Sequence, residues 1–117
     1  MQNRRDLLAE LVPPLPALDV LDSPTRRRIV YLLAQGPASV RWLSRVLDQS
    51  QPLVSKHLRV LLDAGLLEVD RSDRDGRIHL YRLRREPFAQ TEAWLADIRT
   101  TWHRTTRHHL YDEHERQ

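Results

Sequence analysis

Apolar residues recur every three or four positions in three successive segments in the middle of the chain, which is the spacing of one helix face. These faces consist of Ile29, Val30, Leu32 and Leu33, then Val40, Leu43, Val46 and Leu47, then Val54, Leu58, Leu61 and Leu62. A serine precedes each segment, at Ser23, Ser39 and Ser50, and serine is a preferred N-cap. The pattern therefore predicts three short helices, and we expect Gly65 to end the last of them.

After Gly65 the period changes from helical to alternating. Residues 66–71 and 78–83 alternate apolar and polar positions, and the turn residues Asp75-Gly76 lie between them. This pattern predicts a β-hairpin, or wing, at residues 66–83, with Arg71, Arg74 and Arg77 near its tip. Arginines at such a tip have the chemistry to contact phosphate groups or to enter a narrow minor groove of a nucleic acid. A solvated turn is the alternative, because Asp73 and Asp75 offset part of the charge.

The N-terminal segment is amphipathic. Residues Arg4 to Val12 predict a short helix, which Pro13-Pro14 ends. Its apolar side consists of Leu7, Leu8, Leu11 and Val12, and a second apolar piece follows with Leu15, Leu18, Val20 and Leu21. We expect both pieces to pack on another element or on another chain.

A long last helix is predicted to start at Pro87. Its apolar stripe contains Phe88, Thr91, Trp94, Leu95, Ile98 and Trp102, and extends toward His109-Leu110. Such an aromatic stripe is costly to leave in water. We therefore predict a homodimer interface formed by Leu7, Leu8, Leu11, Trp94, Leu95, Ile98 and Trp102. In one alternative the helix folds back on its own domain. In another, Trp94, Ile98 and Trp102 line a pocket between the terminal helices for an apolar effector.

The third predicted helix carries polar side chains opposite its apolar stripe. Gln51, Ser55, Lys56 and Arg59 face outward there. A short helix with a polar, cationic outer face, preceded by another helix and a tight turn, is typical of a DNA-reading helix-turn-helix. The residues that we expect to contact DNA are Ser50, Gln51, Pro52, Ser55, Lys56, His57 and Arg59, together with the wing residues Arg71, Arg74 and Arg77.

Charge is distributed unevenly along the chain. Residues 24–67 hold seven lysines and arginines against two acidic residues, whereas residues 86–117 hold four against six. A basic centre with acidic flanks fits a central surface that meets phosphate. Arg26, Arg27 and Arg28 oppose the dipole at the start of their predicted helix. They form either a solvated face or a phosphate contact.

Composition excludes several classes of protein. The chain contains no cysteine, so disulfides and thiolate metal sites are ruled out. No run of about 18 apolar residues is present to span a membrane, and no apolar stretch follows the charged N-terminus as in a signal peptide. We expect a cytoplasmic protein. An enzyme is the weakest reading, because the chain has no glycine-rich phosphate loop and no nucleophile–base pair at useful spacing.

Several motifs resemble one known family. The motifs are Leu21-Asp22-Ser23-Pro24-Thr25-Arg26, Ser50-Gln51-Pro52, Val54-Ser55, His57-Leu58, Ala64-Gly65-Leu66-Leu67 and Tyr81-Arg82-Leu83. Over residues 17–84 they resemble the ArsR-type (ArsR/SmtB) winged-helix repressors, and the tail is similar to the subgroup with a tryptophan-bearing last helix. The resemblance implies a homodimer that binds an operator as a repressor and is usually released by a signal.

Six histidines raise the question of a metal site. The cysteine motif of the family's thiolate sites is absent from residues 40–44. The family's site on the last helix would require Thr101, His103, His114 and Gln117 as ligands, and threonine and glutamine are poor zinc ligands. We expect no metal and no cofactor, and we read His103, His108, His109 and His114 as solvated or interfacial. In the dimer seam, His109 could make assembly sensitive to pH.

These observations predict one mainly α-helical domain with a small β-hairpin, a winged helix-turn-helix that dimerises through its terminal helices. Residues 1–22 would form an N-terminal dimerisation segment, residues 23–85 the DNA-binding core, and residues 87–111 a C-terminal dimerisation helix. The predicted function is a homodimeric repressor that binds a double-stranded inverted-repeat operator, with an effector left open and no membrane partner. The alternatives are a winged-helix interaction module without specific DNA binding, and a histidine-based metal-sensing repressor.

Overall fold

The computed structural model describes residues 3–71 and 78–105. In chain order its elements are α1 (Arg4–Leu11), α2 (Pro16–Val20), α3 (Pro24–Ala34), α4 (Val40–Leu47), α5 (Gln51–Asp63), β1 (Leu67–Arg71), β2 (His79–Leu83) and α6 (Arg85–Thr105). This architecture is a mostly helical winged helix-turn-helix, and it confirms the predicted fold class.

The three central helices begin where their serine caps predict. The hydroxyls of Ser23, Ser39 and Ser50 each accept a hydrogen bond from the backbone N–H three residues later, at 3.2, 3.2 and 3.3 Å. Each bond satisfies one of the N–H groups that a helix start leaves unpaired. The capping residues therefore fix the boundaries that the hydrophobic pattern alone leaves open.

A residue with positive φ follows each of the two helices of the helix-turn-helix. Asp48 ends α4 in the left-handed region at φ 53°, and Gly65 follows α5 at φ 81°. Asp is one of the few non-glycine residues that adopt this conformation readily, and glycine adopts it without a Cβ clash. The left-handed Asp48 turns the chain from α4 into α5 within three residues.

The wing is a two-stranded antiparallel sheet. Its register pairs Leu67 with Leu83 and Val69 with Tyr81. Tyr81 also forms an isolated bridge with Ala38, through N–H to O distances of 2.8 and 3.1 Å. This bridge ties the wing to the loop between α3 and α4, so the hairpin and the helix-turn-helix share one scaffold.

The core lies between α3, α4, α5 and the base of the wing. Its fully buried large side chains are Ile29, Leu43, Val54, Leu58, Leu61 and Leu66. Truncating one of the leucines to alanine would cost about 2–5 kcal/mol. The prediction that Val46 faces this core is wrong, because its side chain is 49% exposed. Ser44 is buried in α4 instead, where its hydroxyl donates to the carbonyl of Val40 at 2.7 Å.

The last helix starts two residues before the predicted position. It begins at Arg85, which places Pro87 third in the helix, where its missing N–H would have no partner anyway. Pro87 is buried and Phe88 packs against the chain's own core, so Phe88 does not belong to an exposed stripe. The first turns of α6 therefore fold back on the domain, as the alternative reading held.

Large apolar side chains farther along α6 and on α1 stay exposed. They are Leu95, Ile98 and Trp102 on α6, and Leu7, Leu8, Leu11 and Val12 at α1 and its end. Trp94 is half-buried, and its ring N–H donates to the carbonyl of Leu11 at 3.4 Å. This bond places the two exposed apolar surfaces side by side.

Candidate nucleic-acid interface

Helix α5 presents one buried face and one polar, solvent-exposed face. Val54, Leu58 and Leu61 are buried against the core, as predicted. On the opposite side Gln51, Ser55, Lys56 and Arg59 are exposed. The polar face thus has the length and chemistry to meet the edges of base pairs in a major groove.

The side chains on the exposed face differ in how freely they can bind. Within the described residues, Gln51, Ser55 and Lys56 form no side-chain hydrogen bond or ion pair. Arg59 forms an exposed ion pair with Asp63 at 3.2 Å, a pairing that phosphate can displace at little cost. The Ser50 hydroxyl caps the helix, so its first function is structural.

The side chain of His57 lies partly at the surface of α5 and partly against α3. Its Nδ1 lies 3.3 Å from Nη1 of Arg26 and accepts the hydrogen bond, because a guanidinium can only donate. Desolvation by burial, and then the positive charge of Arg26, lower the pKa of His57 below its usual 6.5. The imidazole is therefore neutral at pH 7.

The arginine run at the start of α3 does not form a uniform solvated face. The Nε of Arg26 donates to the carbonyl of Val20 at 2.6 Å, and its Nη2 pairs with Asp22 at 2.9 Å. Arg27 donates to the carbonyl of Leu21 at 2.7 Å. Arg28 is exposed and forms no such contact within the described residues. Arg28 therefore keeps its guanidinium available, as both a solvated face and a phosphate contact would require, whereas Arg26 and Arg27 bind groups of their own chain.

The turn before α5 is also held by the start of α3. The side-chain amide of Gln49 donates to the hydroxyl of Thr25 at 3.4 Å, near the outer limit for such a bond. Its carbonyl oxygen Oε1 is buried with no partner among the described residues. Sequence analysis missed the Gln49–Thr25 and Arg26–His57 contacts, because the two residues of each pair lie 24 and 31 positions apart along the chain.

Ion pairs organise the base of the wing. Arg82 contacts Glu68 at 2.8 Å and Asp70 at 3.1 Å across the two strands, and these carboxylates raise its pKa above the usual value. Arg84 donates to the carbonyl of Gly65 at 3.1 Å. The backbone of Arg71 ends β1, whereas its side chain and all of Arg74 and Arg77 lie outside the described residues.

This geometry agrees with what the chain resembles. Residues 23–69 match the family model of the bacterial regulatory proteins of the arsR family. The arsenical resistance operon repressor of Escherichia coli K12 is 40% identical over 86 residues, which cover 73% of this chain and 68% of that protein. The chain belongs to the ArsR family.

Solved structures of other ArsR-family proteins share this fold. One, an ArsR family transcriptional regulator, is 32% identical with a TM-score of 0.66, covering 75% of this chain and 93% of the other. A homodimeric winged helix-turn-helix DNA-binding domain from Mycobacterium bovis is 26% identical with a TM-score of 0.60, covering 95% and 97%. The predicted family and fold are confirmed, and both are those of transcriptional regulators rather than enzymes.

Two other curated relatives are matched over a shorter part of their length. The chain spans 55% of a regulator from Methanocaldococcus jannaschii and 50% of one from Mycobacterium tuberculosis. The family model matches residues 23–69, which contain the helix-turn-helix and the start of the first strand of the wing.

Within residues 3–71 and 78–105, no group of three or more histidines and carboxylates is placed to hold a metal ion. Of the four histidines in the tail, His103 is exposed on α6, and His108, His109 and His114 lie outside the described residues together with Gln117. None of the described helices is long and apolar enough to cross a bilayer.

Proposed function

We propose that this ArsR-family chain is a homodimeric repressor that binds an inverted-repeat operator in double-stranded DNA, with one α5 helix in each of two successive major grooves. The exposed polar face of α5, supported by its buried stripe within a winged helix-turn-helix, carries this proposal. The cytoplasm, where such an operator lies, is its place of action. Two-fold symmetry of the protein would match the symmetry of the repeat.

The exposed polar side of α5, which we call the reading face, consists of Gln51, Ser55, Lys56 and Arg59. We assign a type of DNA contact to each of these side chains. Gln51 and Ser55 contact base edges, and Lys56 contacts a base edge or a neighbouring phosphate. Arg59 and the wing residues Arg71, Arg74 and Arg77 supply mostly backbone affinity, with Pro52 and His57 at the edges of the contact. Losing one base contact costs about 1–3 kcal/mol at a single operator position, whereas phosphate contacts act on all sequences alike.

The exposed apolar surfaces of α1 and α6 support a dimer. Leu8, Leu95 and Trp102 stay exposed in a single copy, and apolar patches of this kind mark interfaces. Trp94 joins the two surfaces through its bond to Leu11, so both can enter one contact. The M. bovis neighbour, whose fold this chain shares, is described as homodimeric.

A mobility-shift assay on the DNA upstream of the chain's own gene tests the proposal, with a scrambled duplex of equal length as control. We run it with Zn²⁺ and with a chelator. Tight binding that neither addition changes is expected. Release by Zn²⁺ would instead favour the histidine-based sensor, and failure to bind any duplex at low salt would favour an interaction module.

A further inference from the structure

One side chain forms polar contacts with three parts of the domain that also pack on each other through apolar side chains. Arg26, in the first turn of α3, contacts the carbonyl of Val20 at the end of α2, the carboxylate of Asp22 in the following turn, and Nδ1 of His57 on α5. Each of Nε, Nη1 and Nη2 makes one of these contacts. The side chain is only 17% exposed, although its position in a basic run suggests a surface charge.

These contacts leave Arg26 little capacity to bind phosphate. Its side chain is only 17% exposed, and three of the five N–H groups of the guanidinium already bind groups of its own chain. Arg28, by contrast, is exposed. We therefore expect Arg26 to act on DNA binding through the helix that it holds.

The helices that Arg26 connects lead to different functional surfaces of the domain. Helix α2 packs against α6, which carries the exposed apolar surface, and α5 carries the reading face. Apolar contacts between α3 and α5 set the distance between the two helices but allow small rotations of one against the other. The planar guanidinium of Arg26 forms hydrogen bonds in fixed directions and therefore limits those rotations. The neighbouring Thr25 adds a second bond, to Gln49 just before α5.

We infer that Arg26 is a positioning residue that fixes α5 against α2 and thereby sets which half-site spacing the dimer accepts; this rests on the proposed function. In the proposed dimer the two α5 helices are related through α1, α6 and the elements packed on them. A small rotation of each α5 therefore changes the separation and angle of the two reading faces. Lysine cannot replace arginine here, because its single ammonium group cannot form the three contacts that the planar guanidinium makes in different directions.

Operators of altered spacing test this role. Affinities are measured for an operator of native spacing and for versions with one base pair inserted or deleted at the centre, each of which rotates one half-site by about 35°. We expect the wild-type protein to bind the altered operators at least about tenfold more weakly than the native one. We call the affinity for the native operator divided by that for an altered operator the spacing ratio. In Arg26→Lys the spacing ratio should fall below about threefold, while affinity for the native operator also drops.

Matched variants separate positioning from charge and from stability. Arg28→Lys makes the same change two residues along, at an exposed site, and should keep the wild-type spacing ratio. Asp22→Ala removes one partner of Arg26 without touching α5 and should relax the ratio less than Arg26→Lys does. Thermal unfolding followed by circular dichroism gives the folded fraction of each variant, which scales all affinities equally and cancels in the ratio.

The outcomes are distinguishable. A spacing ratio in Arg26→Lys equal to that of wild type, whatever the loss of overall affinity, overturns the positioning role and leaves the proposed function standing. A wild-type protein that binds DNA with no spacing preference overturns the dimeric operator model and the inference with it.

Discussion

Nη1 of Arg26 lies 3.3 Å from Nδ1 of His57, and this contact joins the first turn of α3 to the middle of the DNA-reading helix. Since Arg26 can only donate, Nδ1 must be unprotonated and the neutral ring carries its proton on Nε2. A protonated His57 would lose this bond and would place two positive charges side by side. The folded state therefore favours the neutral imidazole.

This preference predicts a pH-dependent stability. The pKa of His57 is lowered in the folded protein from 6.5, so between the lowered value and 6.5 the unfolded chain binds more protons. The stabilisation is complete above about pH 6.5 and is lost as the pH falls through the folded-state pKa. The unfolding midpoint of wild type should thus fall more steeply between pH 7.5 and 5.5 than that of His57→Gln.

His79→Gln is the matched control for that measurement, because His79 is an exposed histidine on β2. It should keep the wild-type slope. Equal slopes for wild type and His57→Gln would show that the Arg26 contact does not determine the protonation of His57.

Alanine substitutions at Ser50 and Ser55 should affect different properties, folding stability at Ser50 and operator binding at Ser55. The hydroxyl of Ser50 caps α5, whereas that of Ser55 is exposed and forms no contact within the described residues. Ser50→Ala should lower the free energy of unfolding by about 1 kcal/mol. Ser55→Ala should leave it within about 0.5 kcal/mol and weaken operator binding by about 1–3 kcal/mol. Urea titration and a binding isotherm for each variant check this, and the reverse pattern would remove Ser55 from the reading face.

Salt dependence should identify the phosphate contact of Lys56. Each phosphate contact adds about 0.9 to the slope of log affinity against log salt. If Lys56 meets phosphate, Lys56→Ala should reduce the slope by about 0.9 for each half-site. Arg104→Ala, an exposed cation on the last turn of α6, should leave the slope unchanged. An unchanged slope in Lys56→Ala would leave a base edge as its only partner.

Dimerisation should depend on α6 rather than on exposed apolar surface in general. Trp102 and Tyr31 are both 71% exposed, but only Trp102 lies in the proposed interface. Trp102→Glu should raise the dimer dissociation constant at least about tenfold, because it places a charge where apolar surface is buried. Tyr31→Glu, on α3, should not change it. Sedimentation equilibrium gives both constants, and equal effects would place the interface elsewhere.

Local signals account for the parts of the fold that the sequence predicts well. A serine followed by a proline or an apolar period determines where α3, α4 and α5 begin, and the caps at Ser23, Ser39 and Ser50 are where we expected them. The exposed polar face of α5 follows from the same period. These features depend on residues within one or two turns of each other, so no tertiary information is needed.

The errors come from packing between distant segments. Val46 has a core-like spacing, yet it lines an open groove with Tyr31 and Arg28, because nothing from another element covers that side of α4. The Arg26–His57 contact joins residues 31 positions apart and depends on how α3 packs on α5. One signal for it was present: a cation in the first turn opposes the helix dipole, which is unfavourable unless that side chain has a specific partner.

Selection of bound duplexes from a random DNA library tests the central claim most directly, with wild-type protein beside the double variant Gln51→Ala, Ser55→Ala. The account predicts that wild type enriches an inverted repeat whose half-site centres lie about one helical turn apart, and that the double variant loses preference at the inner positions of each half-site while still binding DNA. Enrichment of the same sequence by both proteins would contradict the assignment of the reading face to α5.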